Sequence, residues 1–445
     1  MNIDYKRYSK ISFDSRDVEP GTLFFCKGEQ FKKEYLDAAI EKGAEAYVSE
    51  TDYNASIPCI RVDDIRAAMA EAADEFYGHA WKPYPLIGIT GSKGKTTTLY
   101  FLKNAIENEG KRVAYLSTVD SDDGVEHFES HMTTPEALTL HHHFANARET
   151  KVDAFIMEVS SQGLKYKRTD RVIFDIGIFL NFGRDHIGKG EHEDEEDYFR
   201  SKLLLMGQCR TAIINRESAR FDEVYEAAKK SKICEKILTF SAKENPLFFE
   251  IGIPGSFNME NAVAATMAAR ELGISDEAIA KSLLETKVPG RMEVFKSEER
   301  DVVCISDYAH STLSFEKLLT AVKEEWPGYR VEILFGCPGG KGLQRRTDLP
   351  RAAAPFVDFA WITEEDPGLE SAEDICRILK NEFDALGIEN TVIVDRSEAI
   401  KTAIENAKPK TVIVMTGKGR EEYMHRGNEF PAWPSEVSQI EKYLK

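Results

Sequence analysis

The sequence predicts an α/β protein with mostly parallel sheets, and three observations lead there. Short apolar runs of strand length alternate with helical patterns along all 445 residues. The stretch Leu86–Thr98, LIGITGSKGKTTT, passes from an apolar run through a glycine-rich turn into a helical pattern. In the last third, polar and glycine motifs directly follow apolar runs, where open α/β sheets present ligands. A chain of this length forms about two to four domains. The pattern divides it into three: a small N-terminal α/β domain over 1–84, a central P-loop domain with a mostly parallel sheet over 85–291, and a C-terminal doubly wound, Rossmann-like domain over 292–445.

In order, the first domain reads as strands at Thr22–Cys26, Ala46–Val48 and Cys59–Val62, with helices near Tyr35–Lys42 and Ile65–Tyr77. In the central domain an apolar strand leads into the turn Gly91-Ser92-Lys93-Gly94, and a helix follows from Leu99 to Glu109 with its stop at Gly110. A strand, a glycine turn and a helix N-terminus make an anion site, because unpaired N–H groups and the positive end of the helix dipole point into the turn. Lys95 adds a mobile positive charge for the β- and γ-phosphates of a nucleotide, and the Thr96 hydroxyl can ligate Mg²⁺. Further strands are read at Val113–Leu116, Asp153–Met157, Ile176–Leu180 and around Ile213-Ile214. Glu158 closes the second of these, and a carboxylate at the carboxyl end of a strand beside the P-loop strand can reach Mg²⁺.

Two polar stretches receive a plainer reading. His141-His142-His143 opens a polar helical segment, and consecutive helical residues splay around the axis, so it reads as a solvated face and not a metal site. The acidic stretch Glu191–Asp197 reads as a solvated loop. The last domain alternates strands at Val302–Ser306, Val331–Phe335, Phe359–Thr363, Thr391–Val394 and Thr411–Met415 with helices, the doubly wound pattern.

The net charge of −18 and pI near 5.2 argue against a nucleic-acid partner. The seven cysteines are scattered without a C-x-x-C pair and read as reduced, mostly buried thiols. MNIDYKRYSK has no signal-peptide core, and no apolar run approaches membrane-spanning length, so a cytoplasmic chain without a membrane partner is expected.

The P-loop is not a strict G-x-x-x-x-G-K-[ST]: five residues before Gly94 stands Ile89. It resembles instead the T-G-[ST]-x-G-K-[ST]-T loop of the Mur ligase and folylpolyglutamate synthase superfamily, which couples ATP cleavage to amide-bond formation. The likeness runs through the whole chain and is strongest to MurE-type members of the Mur ligase family. Phe13-Asp14-Ser15-Arg16 resembles the segment in which that family holds the uridine diphosphate of its substrate, placing Ser15 and Arg16 there. Thr133-Thr134-Pro135 matches its T-T-P loop, with hydroxyls for the nucleotide-linked substrate. IMEVSSQGLKYKR resembles its E-V-S-S-H-A-L-x-x-x-R segment: Glu158 maps to a metal ligand, and Ser160, Ser161 and Arg168 to substrate contacts, with Gln162 where the family often has histidine. Asn181, Asp185 and His186 match its T-N-x-x-x-D-H, with His186 beside the metal. Lys202, after Tyr198, matches the lysine that family members often carry as a carbamate, an anionic oxygen ligand for a second Mg²⁺.

For ATP, the resemblance implies Gly91, Ser92, Lys93, Gly94, Lys95, Thr96 and Thr97 on the phosphates, and Asn258 and Asn261 near the adenine. Arg291 of the P-G-R-x-E linker and Asp307 of D-Y-A-H would join them from the last domain. The loop Gly339–Arg346 departs from the family pattern but keeps Arg345 and Arg346 as positive charges. Glu365-Asp366-Pro367-Gly368 matches the D-N-P-x loop that recognises the incoming amino acid, and Gly417 and Glu421 belong to the G-K-G-x-E motif beside it. Enzymes that add meso-diaminopimelate usually carry arginine at the fourth loop position, to pair with the distal carboxylate. Gly368 cannot do so, which leaves room for a cationic side chain near Glu364, Glu365, Asp366 or Glu421, so L-lysine is favoured, with ornithine or another diamino acid, and a relative acting outside cell-wall synthesis, as the open alternatives.

The expected reaction is attack of a substrate carboxylate on the γ-phosphate, giving an acyl phosphate, then attack of the amino acid's amine. The expected acceptor is UDP-N-acetylmuramoyl-L-Ala-D-Glu, the expected enzyme a monomer with catalytic residues Lys95, Glu158, His186 and Lys202, and the metal set Thr96, Glu158, His186 and Lys202. Two other readings stand beside it: a ligase of the folylpolyglutamate or cyanophycin type, and a non-catalytic ATP-binding scaffold.

Overall fold

The computed structural model describes residues 3–28, 31–130, 132–183, 192–244, 249–255 and 257–445. Asp185 and His186 lie outside the described residues. The chain forms two compact units, Met1–Pro246 with Val263–Ser282, and Leu247–Ala262 with Leu283–Lys445.

The first unit carries two sheets. The smaller has four parallel strands in sequence order, β1 (Lys10–Ser12), β2 (Thr22–Phe25), β3 (Ala44–Ser49) and β4 (Cys59–Arg61). Successive side chains of a strand face opposite ways, and here both faces are covered. Leu23, Phe25, Ala46 and Val48 share a core with Met69 and Ala73 of the helix Ile65–Phe76, whereas Phe24 and Tyr47 join Leu36 and Ala39 of the helix Lys33–Glu41. The sequence reading had no strand at β1, which is too short for its period to show.

The larger sheet contains β5 (Leu86–Thr90), β6 (Val113–Leu116), β7 (Asp120–Asp122), β8 (His127–Glu129), β9 (Ala154–Glu158), β10 (Phe174–Phe179), β11 (Cys209–Asn215) and β12 (Lys236–Phe240), in the order β12-β11-β10-β5-β9-β6-β7-β8. Strands β12 through β6 are parallel, and β7 and β8 turn back antiparallel at the edge. From β5 the chain runs first toward β6 and β9 and then, with β10, to the other side, so the strand order reverses beside β5. The crevice outside the carboxyl ends there is a topological switch point, where such sheets bind ligands. Gly88, in mid-strand, is required by packing: a Cβ would lie 2.8 Å from the Phe174 ring. Gly88→Ala is therefore expected to cost about 1–3 kcal/mol by overpacking, seen as a lower urea midpoint.

Two sequence readings are corrected in this unit. The His141–His143 run is not a solvated face. His141 and His143 are buried and only His142 is exposed, because the helix Ala137–Thr150 packs against core on more than one side. His143 Nδ1 lies 2.7 Å from Asp123 Oδ2 and its ring stacks on Phe128, tying the β7–β8 hairpin to the helix. The acidic stretch is not all loop either. Glu195, Glu196 and Asp197 form the first turn of the helix Glu195–Leu203, where carboxylates favour the positive dipole end, and Asp194 caps it by accepting from Asp197 N.

The second unit holds a six-stranded sheet ordered β13-β14-β18-β15-β16-β17, from β13 (Glu293–Ser297), β14 (Val302–Asp307), β15 (Arg330–Phe335), β16 (Phe359–Ile362), β17 (Asn390–Val392) and β18 (Thr411–Thr416). All pairs are parallel except the edge strand β13. The central β18 is buried along its length, as its unbroken apolar run requires of a strand covered on both faces. Cys304, Leu334, Ile413 and Met415 share a core with Ile400 and Ile404 of the helix Arg396–Asn406 and Ile440 of the helix Glu436–Tyr443.

Candidate active site

The turn after β5 has the geometry of an anion cradle. Gly94 caps the helix Lys95–Asn108 at φ +90°, a left-handed conformation that side-chain-bearing residues rarely adopt. Asn181, just past β10, clamps the loop by accepting from Lys93 N (2.9 Å) and donating to Lys93 O (3.0 Å). Ser92 Oγ donates to Gly183 O at 3.0 Å and is met by the Tyr198 hydroxyl at 3.1 Å. Lys95 Nζ donates to Gly91 O at 2.9 Å. Lys202 Nζ donates to the same carbonyl at 3.0 Å from the helix Glu195–Leu203, fully buried with its ammonium 4.5 Å from the centre of the Tyr198 ring. Tyr198 and Lys202 stand four apart on one helix face. Two ammonium groups thus converge on one carbonyl oxygen.

Glu158 sits at the carboxyl end of β9, whose register sets it opposite Ile89. It is 1% exposed and its oxygens accept from Thr96 Oγ1 (2.8 Å), Thr118 N (2.9 Å) and Thr118 Oγ1 (2.9 Å). Among the described residues no cation is ion-paired with this buried carboxylate. Thr134 Oγ1 donates to the Glu158 carbonyl at 3.0 Å and accepts from Ser160 N at 2.9 Å, and Thr133 lies 3.2 Å from Thr118 through their hydroxyls. The T-T-P and E-V-S-S segments are thereby joined.

Around them the unit gathers basic groups. Arg168 Nη1 donates to Thr134 O at 3.0 Å and Nη2 pairs with buried Glu136 at 2.8 Å, which Lys27 also meets at 2.7 Å. Sequence reasoning missed His192. It is buried, with Nε2 2.9 Å from Ser161 Oγ and Nδ1 2.9 Å from Asp197 Oδ2. Burial lowers its pKa despite the Asp197 partner. Neutral His192 with its proton on Nδ1 accepts from Ser161, whose oxygen then turns lone pairs outward. Nothing in the spacing of an acidic stretch signals this chain of bonds. Ser15 and Arg16 form a one-turn 3-10 helix with Asp17, and the exposed Arg16 guanidinium is closed onto Asp14 at 2.6 Å.

The second unit carries its own set at strand ends. Asp307 accepts from Met292 N (2.7 Å) and Ala309 N (2.8 Å), and Arg291 lies over the Tyr308 ring at 5.2 Å. Asn258 and Asn261 are buried on one helix face and bonded to each other at 3.1 Å. Arg396 is fully buried, holding Glu436 Oε1 (2.5 Å), Glu364 O (3.0 Å) and Thr416 O (2.5 Å), while Glu436 Oε2 accepts from Ser306 Oγ and Gly419 N. This pair fixes the loops after β16 and β18. Removing one partner of a buried ion pair strands the other, so Glu436→Ala is expected to destabilise the protein by about 3–5 kcal/mol, read by urea denaturation. Arg346 is not an available positive charge: it is buried, paired with Glu370 at 2.9 Å and bonded to Pro338 O.

The acidic residues near Gly368 are mostly engaged. Glu364 pairs with Arg426, and Asp366 and Glu421 both hold the buried Lys418. Gly368 N donates to His425 O at 3.0 Å and its carbonyl accepts from Gly427 N at 2.7 Å, so Pro367-Gly368 is laced to the segment 425–427. Glu365 differs. It is buried, its carboxyl is pushed up to about 7 by desolvation, and among the described residues no donor is hydrogen-bonded to it. Its Oε2 lies against Gly417, where a Cβ would stand 2.1 Å away.

Residues 89–248 match the family model of the Mur ligase middle domain, and residues 290–419 that of the Mur ligase glutamate ligase domain. A UDP-N-acetylmuramoyl-L-alanyl-D-glutamate--L-lysine ligase of Streptococcus suis is 38% identical over 98% of this chain and 93% of its own length. The chain belongs to the Mur ligase family. A second relative of this ligase, of the same name and from Streptococcus sanguinis, is 38% identical over 98% of this chain and 93% of its own. The solved structure of a UDP-N-acetylmuramoyl-L-alanyl-D-glutamate--2,6-diaminopimelate ligase matches with a TM-score of 0.69 at 26% identity, covering 98% of this chain and 94% of that one. The protein is an ATP-dependent ligase with small-molecule substrates, using ATP and Mg²⁺. Its residues fit that metal: Glu158 is a buried carboxylate with hydroxyls but no described cation against it, beside the Thr96 hydroxyl, an oxygen set suited to a hard divalent ion. Among the described residues no helix is long and apolar enough to cross a membrane.

Proposed function

We propose that this Mur ligase joins L-lysine to a carboxylate of UDP-N-acetylmuramoyl-L-Ala-D-Glu, a step of peptidoglycan precursor synthesis. The observation that carries the choice of amino acid is Glu365, a buried carboxyl with no hydrogen-bonded donor among the described residues, in a loop whose other carboxylates already hold Lys418 and Arg426. An ammonium seated there satisfies it, whereas the distal carboxylate of diaminopimelate would meet like charge. The streptococcal relatives are L-lysine ligases by name, in agreement with this choice.

In this reading Gly91–Thr97 hold the triphosphate, and Lys95 leaves Gly91 O to meet the γ-phosphate. Mg²⁺ at Thr96 and Glu158 supplies neutralisation of phosphate charge. Thr133, Thr134, Ser160, Ser161 and Arg168 hold the acceptor, with Ser161 oriented by His192 to accept from a substrate N–H or O–H. Ser15 and Arg16 hold the uridine diphosphate, for which Arg16 must exchange Asp14 for phosphate. The acceptor carboxylate attacks the γ-phosphorus and ADP leaves; the lysine α-amine then attacks the acyl carbon, and phosphate leaves. Asp366, Pro367, Gly368, Gly417 and Glu421 frame the amino acid, and Asn258, Asn261, Arg291 and Asp307 the nucleotide. Carbamylated Lys202 and His186 complete a second Mg²⁺ site; a carbamate also relieves the convergence of two ammonium groups on Gly91 O. We assign uridine-nucleotide binding to 1–84, ATP binding to 85–291 and amino-acid binding to 292–445, in a cytoplasmic monomer.

Phosphate release from ATP with the UDP-linked dipeptide and a panel of amino acids tests this. Release that requires L-lysine is expected. Release with diaminopimelate instead overturns the specificity, and release with no amino acid overturns ligation of this acceptor.

A further inference from the structure

Strand β11 opens at Cys209 and runs parallel to β12 with Thr211 opposite Lys236. Cys209 and Cys234 stand two residues before that pair, and the bond from Glu235 N to Arg210 O, 2.7 Å, carries the ladder back to them. Neighbouring strands stand about 4.8 Å apart, within the Cα separation of about 4.4–6.8 Å that a disulfide spans. Each sulfur is close enough to shift the other's ionisation, that of Cys209 upward and that of Cys234 downward.

The pair is asymmetric. Cys209 is fully buried, its Sγ so close to Gly177 that a Cβ there would stand 2.7 Å away. Cys234 is partly exposed, with Sγ 3.4 Å from Lys236 O. The neighbouring Cys209 thiol lowers the pKa of Cys234 against the opposing effect of its partial burial, while Cys234 and burial together raise that of Cys209. A partly exposed cysteine opposite a buried one on the neighbouring strand is the arrangement of an attacking and a resolving cysteine.

We propose that Cys234 and Cys209 form an oxidation site for hydroperoxides, closing to an intramolecular disulfide. The Cys234 thiolate attacks the distal oxygen of the hydroperoxide, the O–O bond breaks, and the leaving alkoxide takes a proton to become the alcohol, or water from hydrogen peroxide. The Cys209 sulfur then attacks the Cys234 sulfur of the sulfenic acid. The S–O bond breaks, and hydroxide leaves as water with the Cys209 proton. The two thiols lose two electrons together and the peroxide gains them. The bridge closes the crossover from β11 through the helix Phe221–Lys230 to β12.

The test is peptide mapping of the full-length protein, alkylated before and after hydrogen peroxide. Loss of alkylation at Cys209 and Cys234 together, a linked peptide pair, and recovery with a thiol reductant are expected. In Cys209→Ser, Cys234 should stop at a sulfenic acid that a dimedone probe traps. Alkylation of Cys234 undiminished by peroxide, or a Cys234 bridge to any other cysteine, overturns the proposal. Mapping of the unmutated chain decides this even where Cys209→Ser fails to fold.

Discussion

Lys202→Ala is expected to lower the rate of ligation about a thousand-fold or more, the loss that follows from removing about 4 kcal/mol of charge stabilisation around a transferring phosphoryl group. Lys202 is buried and donates to Gly91 O, so a thermal midpoint measured alongside separates lost chemistry from lost fold. The assignment as a carbamate makes a sharper demand. Carbon dioxide-depleted buffer should lower wild-type activity and bicarbonate should restore it. Lys202→Arg, which keeps a cation but forms no carbamate, should be as inactive as the alanine variant. An active arginine variant would mean that the position works as a positive charge, and the second metal site would lose its ligand.

Glu365→Gln should reduce kcat/KM for L-lysine about a hundred-fold, as expected where one partner of a buried charge pair loses about 3 kcal/mol. Norleucine, which replaces the ammonium with a methyl group, should be discriminated against by the wild type and much less by the variant. The same residue sets a pH dependence. Its folded-state pKa, raised to about 7 by burial, means the folded protein prefers the neutral carboxyl; that contribution to stability is present at low pH and is lost as pH rises through about 7. The anion is what an ammonium requires, so kcat/KM for lysine should fall as pH drops below about 7, and added lysine should raise the thermal midpoint more at pH 8 than at pH 6. A flat pH profile for lysine together with an unaffected Glu365→Gln variant would remove Glu365 from the subsite.

The parts of the fold that could be read in advance share a physical cause. Strands buried on both faces, such as β5, β15 and β18, are near-continuous apolar runs bounded by turn residues, and they stand where periodicity put them. The short or edge strands β1, β7, β8 and β13 carry polar residues on at least one side and gave no such pattern. The histidine run failed for a related reason. A helix packed between a hairpin and a core buries residues on more than one side, and the partners of His143, Asp123 and Phe128, lie 20 and 15 residues before it, outside any local helical window.

Chain order and motif chemistry alone were enough for the family, for the strand, turn and helix of the P-loop and for Glu158 at a strand end, because such devices are written in consecutive residues. Which charges remain available for a ligand was decided only by tertiary contacts. Arg346, Arg396, Arg426 and Lys418 each look like a binding cation in one dimension, and each is bonded to a carboxylate 3 to 62 residues away. His192, Asp197 and Ser161 become one hydrogen-bonded chain only after β9 and the helix Glu195–Leu203 are brought together. Pairing satisfies a charge through space, and distance through space is the quantity a linear sequence does not carry.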